Sequence, residues 1–321
     1  MIYAPVIIPT LNRFDHLKEC VESLNKCHNA DKTEVYISID YPPSEKYREG
    51  HDKICEYLEC SKFNFKELHL FKQTENLGVI NDGKKKYSNS SFLREKVMGK
   101  YDYWISSEDD NVFAPGFLDF INESLEYFKN DPTVFSVCGY SFYYHLKFDG
   151  NNYLRQNCDF NAFGCAFWKD KYLDMMRFSE AGYLKKMIYN PCKVYKFWKV
   201  SNLQVAHLAS FSRKANFKRG DNFYTIYMID KGMTQVMPSK SLVRNIGWDD
   251  SGIHCVGFSE EVVERHLTQV IDDNPTFEGL KGTGWEHFKD NQKIIRDEDF
   301  QRCTFFHALI EYLKRLVAFW K

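Results

Sequence analysis

The first 140 residues alternate between short apolar runs and amphipathic helical patterns, which limits the fold more than any other feature of the chain. "APVIIPT" reads as a buried strand bounded by proline, and "FDHLKECVESLNKC" as a helix with Leu17, Cys20, Val21 and Leu24 on one face. "TEVYISID" is a second strand, "SEKYREGHDKICEYLEC" a second helix and "KELHLFKQ" a third strand. "NDGKKKYSNSSFLREKVM" follows as a weaker helix and "YDYWISS" as a fourth strand. "PGFLDFINESLEYFKN" then reads as a helix with Pro115 near its first turn, and "TVFSVCGY" as a further strand. This pattern predicts an α/β fold, Rossmann-like, with a mostly parallel sheet, right-handed crossovers and flanking helices. Ligands in such sheets bind at the carboxyl ends of the strands, where Asp40 and the run Glu108–Asp109–Asp110 fall.

From about residue 141 the pattern loosens into aromatic loops and short strands, with one clear helix near 221–231. Residues 272–298 read as a polar surface segment. The tail "CTFFHALIEYLKRLVAFWK" is a helix candidate with aromatic and basic residues interleaved. Residues 299–321 therefore suit either packing against the domain or contact with a membrane surface.

Composition narrows the function classes. The 321 residues are 44% hydrophobic and 27% charged, the balance of a soluble globular protein. A net charge of −1 gives no global basic field, so nucleic acid is not an expected partner. The ten cysteines form no CxxC pair and no zinc spacing, and the start "MIYAPVIIPT" lacks a basic stretch and cleavage site. Reduced thiols and a cytoplasmic location are expected, with attachment at the inner face of a membrane as the alternative. No apolar run approaches the roughly 20 residues that span a bilayer.

Three carboxylates in a row, directly after an apolar strand, repel one another unless something positive sits among them. Mg²⁺ or Mn²⁺ would neutralise them and leave coordination positions for phosphate oxygens, as a nucleotide-diphosphate donor requires. The alternative is a solvated acidic loop whose charges favour the start of the next helix.

"PVIIPTLNRFDHLKECVESL", "ISIDYP", "ENLGVINDGKKK" and "SSEDDNVFAPGFLDFINESLEYF" resemble the nucleotide-binding half of GT-A glycosyltransferases. They are similar to inverting family 2 enzymes, and the acidic run before "APGF" is similar to the N-acetylglucosaminyltransferase I type. The resemblance continues more thinly through "FNAFGCAFWKDKYL", "RGDNFYTIYM" and "RNIGWDDSGIHC", so it covers about residues 3–255. It implies a nucleotide-sugar-binding half (1–140), an acceptor-binding and catalytic half of the same domain (141–258), and a C-terminal extension (259–321). It further implies that Pro9, Thr10 and Arg13 line the nucleotide pocket, with Arg13 meeting uridine or phosphate. Asp40 would accept a hydrogen bond from the base, and Asn76 and Gly78 would lie in the loop that closes over it. Asp110 is implied as the direct metal ligand, Asp109 as the holder of the ribose or a metal-bound water, and Glu108 as a supporting group. The residues alone leave duller roles open, with Arg13 pairing Asp15, Asp40 as a turn residue, and Asn76 and Gly78 as a plain turn.

Inverting transfer needs one carboxylate to take the proton of the acceptor hydroxyl. Asp221 in "KRGDNFYTIYMIDKG" is the candidate base, since it opens a helix after Gly220, and the resemblance supports it. A plain N-terminal capping role is the alternative. The sequence departs from the family here, because Gly220 and Asn222 flank Asp221 where a second acid is usual. Residues 245–255, Gly-rich and mixed in charge, read as a loop that orders over the donor, with His254 reaching the metal or diphosphate and Asp249 and Asp250 as reserve bases. Gly164 and Trp168 in "FGCAFWKD" read as an acceptor wall or as core. The expected reaction is sugar transfer from a nucleotide-diphosphate donor, UDP by resemblance, to a glycan or lipid-linked acceptor. A degenerate nucleotide-sugar-binding or glycan-binding module and a sugar nucleotidyltransferase are the competing classes. The latter is disfavoured because "PTLNRFDHL" has no glycine for a phosphate loop.

Overall fold

The computed structural model describes residues 3–78, 88–142, 146–148, 150–178, 183–212, 220–249, 251, 260–272 and 277–317. The first half alternates as its periodicity predicts: β1 (Val6–Thr10), α1 (Phe14–Asn25), β2 (Glu34–Ile39), α2 (Arg48–Cys60), β3 (Glu67–Lys72), α3 (Asn89–Met98) and β4 (Tyr103–Ser106). After a short β5 (Asn111–Phe113) come α4 (Phe117–Tyr127), β6 (Val134–Cys138), β7 (Tyr153–Gln156) and β8 (Cys165–Trp168). Helices α5 (Lys169–Phe178), α6 (Tyr183–Ile188), α7 (Pro191–Val200), α8 (Asn202–Phe211) and α9 (Asp221–Lys231) follow. The remainder is β9 (Thr234–Pro238), β10 (Val243–Asn245), α10 (Glu260–Leu267), α11 (Phe288–Arg302) and α12 (Phe305–Val317).

Among the described residues, eight strands form one mixed sheet in the order β3-β2-β1-β4-β8-β6-β9-β7. Pairings β1–β2, β1–β4, β2–β3 and β6–β9 are parallel, while β8 runs antiparallel to both β4 and β6, and β7 to β9. The period of two along each strand divides the core. Val6, Ile8, Val35, Ile37 and Ile105 pack on the side of α1, α2 and α4. Ile7, Tyr36 and Trp104 face the opposite layer, built from α3 and α5–α9. Helix α1 turns in Leu17, Cys20, Val21 and Leu24, the stripe legible in the sequence.

Three sequence expectations change. Between β8 and residue 211 the described residues form four helices, α5 to α8, rather than loops. Helix α8 is enclosed by α6, α7, α9, α11 and α12, so it needs no one-sided apolar stripe and its periodicity is faint. The segment 272–298 is not merely polar surface, because α11 begins at Phe288 and packs on β7 and α8 through few apolar residues, Ile295 among them. Ahead of it, Tyr153 donates its hydroxyl to the Gly282 carbonyl (2.7 Å) and Arg155 Nε donates to that of Thr283 (3.1 Å). Finally, Trp168 is buried at 5% exposure, donates its indole N–H to Leu125 (3.2 Å) and carries Lys171 over its ring, so it is core rather than a sugar-stacking wall. The nine described cysteines are free, and no described helix is long and apolar enough to cross a membrane.

A second, two-stranded antiparallel sheet pairs β5 with β10, placing Asn245 opposite Asn111 and Val243 opposite Phe113. Gly164 lies against it with φ +62°, and a Cβ there would stand 2.9 Å from both Phe117 and Val243. Gly164→Ala is expected to lower the unfolding free energy by about 1–3 kcal/mol through strain and overpacking. Urea denaturation measures it, and an unchanged midpoint would contradict this packing.

Candidate active site

Strand β1 pairs with β2 along its whole length but with β4 only at Val6 and Ile7. Pro9 has no N–H to prolong a ladder, so β1 and β4 part beyond Ile7 and leave a crevice at their carboxyl ends. Asp40, just after β2, donates its backbone N–H to Thr10 O (2.9 Å). Its Oδ1 accepts the backbone N–H groups of Leu77 (2.7 Å) and Tyr41 (2.9 Å). Asn76 donates Nδ2 to Tyr41 O (2.6 Å) and accepts the Gly78 N–H (3.0 Å), so Asp40, Asn76 and Gly78 form one connected rim. Asn89 braces the same end by donating Nδ2 to Ser38 O (2.8 Å) and Thr10 O (3.2 Å).

Arg13 leads into α1 and pairs with Asp109 and Asp110, not with Asp15. One guanidinium nitrogen makes a close ion pair with Asp109 Oδ1, and Nη1 lies 2.8 Å from Asp110 Oδ2. Thr10 Oγ1 donates to Asp109 Oδ2 (2.8 Å), and Asn245 Nδ2 to Asp110 Oδ1 (2.6 Å). All four oxygens of two carboxylates only 6% and 5% exposed thus receive a donor. Burial lifts the pKa of Asp109 above the ordinary carboxylate range, with Arg13 opposing, Asp110 adding to the rise and Thr10 opposing it. For Arg13 burial works toward a lower pKa, and the two carboxylates outweigh it.

Glu108 and Asp221 differ from this locked pair. Each keeps a solvent-facing edge although protein surrounds it otherwise, as side chains in a cleft wall do. Desolvation raises Glu108 first, and repulsion from Asp110, Asp221 and Asp109 raises it further against the pull of Arg13. Asp221 opens α9, whose Phe223, Ile226 and Tyr227 are buried, and desolvation pushes its pKa up to about 6. Asp221, more than a hundred residues away in sequence, is thus within electrostatic range of Glu108. Four carboxylates against one guanidinium leave negative charge unbalanced. Hard oxygen donors of this type suit a divalent cation such as Mg²⁺ or Mn²⁺, and Asp110 would have to exchange its Arg13 or Asn245 contact to ligate one.

The segment after β10 closes over the pair. Ile246 donates its N–H to Asp110 O (2.8 Å), Gly247 to Asn245 Oδ1 (3.1 Å), and a Cβ on Gly247 would fall 2.0 Å from Asp110 Oδ2. Asp249 is tied to His16 Nε2 (3.1 Å) and accepts from the Ser251 hydroxyl (2.5 Å), an arrangement that occupies this reserve base. His254 and Asp250 lie outside the described residues. Sequence reasoning placed the segment over the donor but missed Asn245 as a partner of Asp110, since only the β5–β10 pairing brings the two together. Asn89, in a polar stretch, gave no signal at all.

Among the described residues, the one group of three or more His, Cys, Asp or Glu whose ligand atoms lie within 4.8 Å of one another is Glu34, Glu67 and His69, not the acidic run. They stand at the amino ends of β2 and β3, away from the crevice, and Glu34 is already held by Lys66 (2.9 Å), Lys100 (3.0 Å) and Tyr36 (3.0 Å). This cluster is a structural ion-pair network.

No protein-family model matches the chain, and no curated protein matches it. Among solved structures, Staphylococcus aureus TarS 1–349 is similar at 15% identity and TM-score 0.36, covering 54% of this chain and 50% of its own. This chain therefore spans about half the length of that protein. The mannosyltransferase PcManGT from Pyrobaculum calidifontis, in complex with GDP-Man and Mn²⁺, aligns at 13% identity and TM-score 0.37 over 98% of this chain and 74% of its own. Mouse xyloside xylosyltransferase 1 aligns at 10% identity and TM-score 0.40 over 83% and 94%.

The close approach of Gly247 to Asp110 makes a direct prediction. Gly247→Ala should cost about 1–3 kcal/mol of stability. Combined with Asp110→Ala, which removes the clashing atoms, in a double-mutant cycle, it should show a coupling of at least about 0.5 kcal/mol. Strict additivity of the two substitutions would show that the segment does not press on Asp110.

Proposed function

We propose that this chain is an inverting glycosyltransferase, moving a sugar from a nucleotide-diphosphate donor of the UDP type to a hydroxyl of a glycan or lipid-linked acceptor. One observation carries the reading. Arg13, Asp109, Asp110 and Asn245 are in direct contact although distant in sequence, and Asp221 lies within electrostatic range of Glu108 in the same acidic run.

In this reading Pro9, Thr10, Asp40, Asn76 and Gly78 form the nucleoside end of the crevice. Arg13 faces the diphosphate and steadies its negative charge as the bond to the sugar breaks. Asp221 takes the proton of the acceptor hydroxyl, whose oxygen attacks the anomeric carbon from the face opposite the leaving group. The new glycosidic bond forms as the electron pair of the old one leaves with the diphosphate. A carboxylate raised to about 6 suits this role, since it is ionised near neutral pH yet more basic than an ordinary Asp. Asp110, with Glu108 beside it and His254 as a proposed helper, would hold Mn²⁺ or Mg²⁺. Such a cation, when bound, neutralises charge on the departing diphosphate. A lipid-linked acceptor would bring the chain to the cytoplasmic face of a membrane.

A second reading has one observation in its favour. Both oxygens of Asp110 already accept donors from Arg13 and Asn245, which also suits a metal-free nucleotide-sugar-binding module. Sugar transfer with Mn²⁺ that EDTA abolishes favours the enzyme, and nucleotide binding without turnover under both conditions favours the module.

Asp221→Asn should lower kcat by roughly 10²–10⁴-fold while donor affinity stays within about threefold. In the wild type kcat/KM should fall as pH drops through about 6, because protonation removes the base. Turnover that survives the substitution would refute the assignment. Stability provides an independent sign. A folded pKa above the ordinary Asp value makes the native state the better proton binder, so the wild type loses stability as pH rises from about 4 to 6. Asp221→Asn should therefore be the more stable protein at pH 8, and thermal melts at pH 8 and pH 4 should show that advantage shrinking in acid.

A further inference from the structure

Helix α12 packs on α8 through the buried Ala308, and Arg315 ties it to the end of α8 by donating to the Ser212 hydroxyl (3.0 Å) and carbonyl (3.1 Å). Phe306, Ile310, Leu313 and Val317 are on the other side. Their spacings of four, three and four residues align them in one stripe, and they are 74%, 50%, 49% and 60% exposed. Phe305 carries the apolar surface across to α7, its ring 5.7 Å from that of Trp198. There Tyr195, also exposed, has Lys199 Nζ 4.6 Å over its ring.

Charge on these three helices is mostly positive, with Glu311 of α12 as their one acid. Lys185 and Lys186 on α6, Lys196 and Lys199 on α7, and Lys314 on α12 are exposed. Residues 183–212 contain no Asp or Glu. Lys193, half-exposed, is neutralised by the buried Asp230 (2.8 Å), and Lys314 shares the half-buried Glu311 (2.8 Å). A contiguous apolar stripe in water marks a contact surface. An apolar stripe with lysines at its edge fits a bilayer, where the rings and aliphatic chains enter the acyl boundary and the ammonium groups meet anionic headgroups. The 13 residues of α12 are too few to span a membrane, so the helix would lie along it.

We propose that α6, α7 and α12 form a docking face for an anionic lipid surface, with the apolar stripe of α12 inserted and the lysines of α6 and α7 on the headgroups. This extends the membrane role expected of residues 299–321 to a face built from three helices. It stands on its own residues, whatever the crevice transfers.

Sedimentation of the full chain with phosphatidylglycerol-containing vesicles, and with phosphatidylcholine vesicles, tests it. Binding to the anionic vesicles should be roughly tenfold or more tighter than to the neutral ones and should weaken as salt rises. Phe306→Glu with Ile310→Glu, and separately Lys196→Glu with Lys199→Glu, should each reduce it roughly tenfold or more. Thermal melts and binding of uridine diphosphate should not change, since all four positions are exposed. Failure of the wild type to sediment with anionic vesicles, or equal binding by both variants, would overturn the proposal. So would a concentration-dependent dimer in sedimentation velocity that Phe306→Glu with Ile310→Glu abolishes while vesicle binding persists. Vesicle binding that depends on these residues, in a protein with no sugar transfer, would uphold this face and count against the reading of the crevice alone.

Discussion

Asp109 and Asp110 are adjacent, buried and carboxylic, and Arg13 is the cation that reaches both. Two neighbouring negative charges out of water are strongly unfavourable without a counter-charge and without donors for their lone pairs. Arg13 supplies the charge. Thr10 and Asn245 supply the remaining donors from β1 and β10, strands that belong to different sheets. Breaking a buried set of this kind by removing one partner typically costs 3–5 kcal/mol, more than an ordinary surface pair contributes. The loop after β4 is therefore pinned from three directions, and the crevice takes its shape from that pinning.

The rest of the site follows from where these contacts lie. Pro9 lets β1 and β4 separate, so the carboxylates stand at an open strand end instead of inside a ladder. The β5–β10 pairing then returns a segment more than a hundred residues distant onto Asp110, with no room for a side chain at Gly247. The locking is also incomplete. Arg13 cannot balance Glu108 and Asp221 as well, and both have raised pKa values facing solvent. On the proposed reading, a diphosphate donor with its cation and a hydroxyl acceptor would bring the positive charge and the proton that these two carboxylates lack.

Much of this was legible in the sequence where local pattern and tertiary role agree. The period-two strands β1–β4 and the stripe Leu17–Cys20–Val21–Leu24 could be read directly, and so could the position of the acidic run after β4. Legibility ended where an element is enclosed or a contact is long-range. Helix α8 is surrounded and has no polar face, α11 is polar with few buried residues, and both escaped a search for amphipathic periodicity. Trp168 reads equally as a sugar platform or as core, and only its burial decides. The link between Asn245 and Asp110 depends on pairing two strands of three residues, too short to show a pattern.

The central claim is that the Arg13–Asp109–Asp110 cluster seats a nucleotide diphosphate and its cation. A crystal structure of the full chain grown with uridine diphosphate and Mn²⁺, with anomalous scattering to locate the metal, tests it most directly. The account predicts an anomalous peak within bonding distance of Asp110, with the diphosphate against Arg13 and the base beside Asp40. Nucleotide bound elsewhere, or Asp110 still enclosed by Arg13 and Asn245 with no metal at saturating ligand, would contradict it.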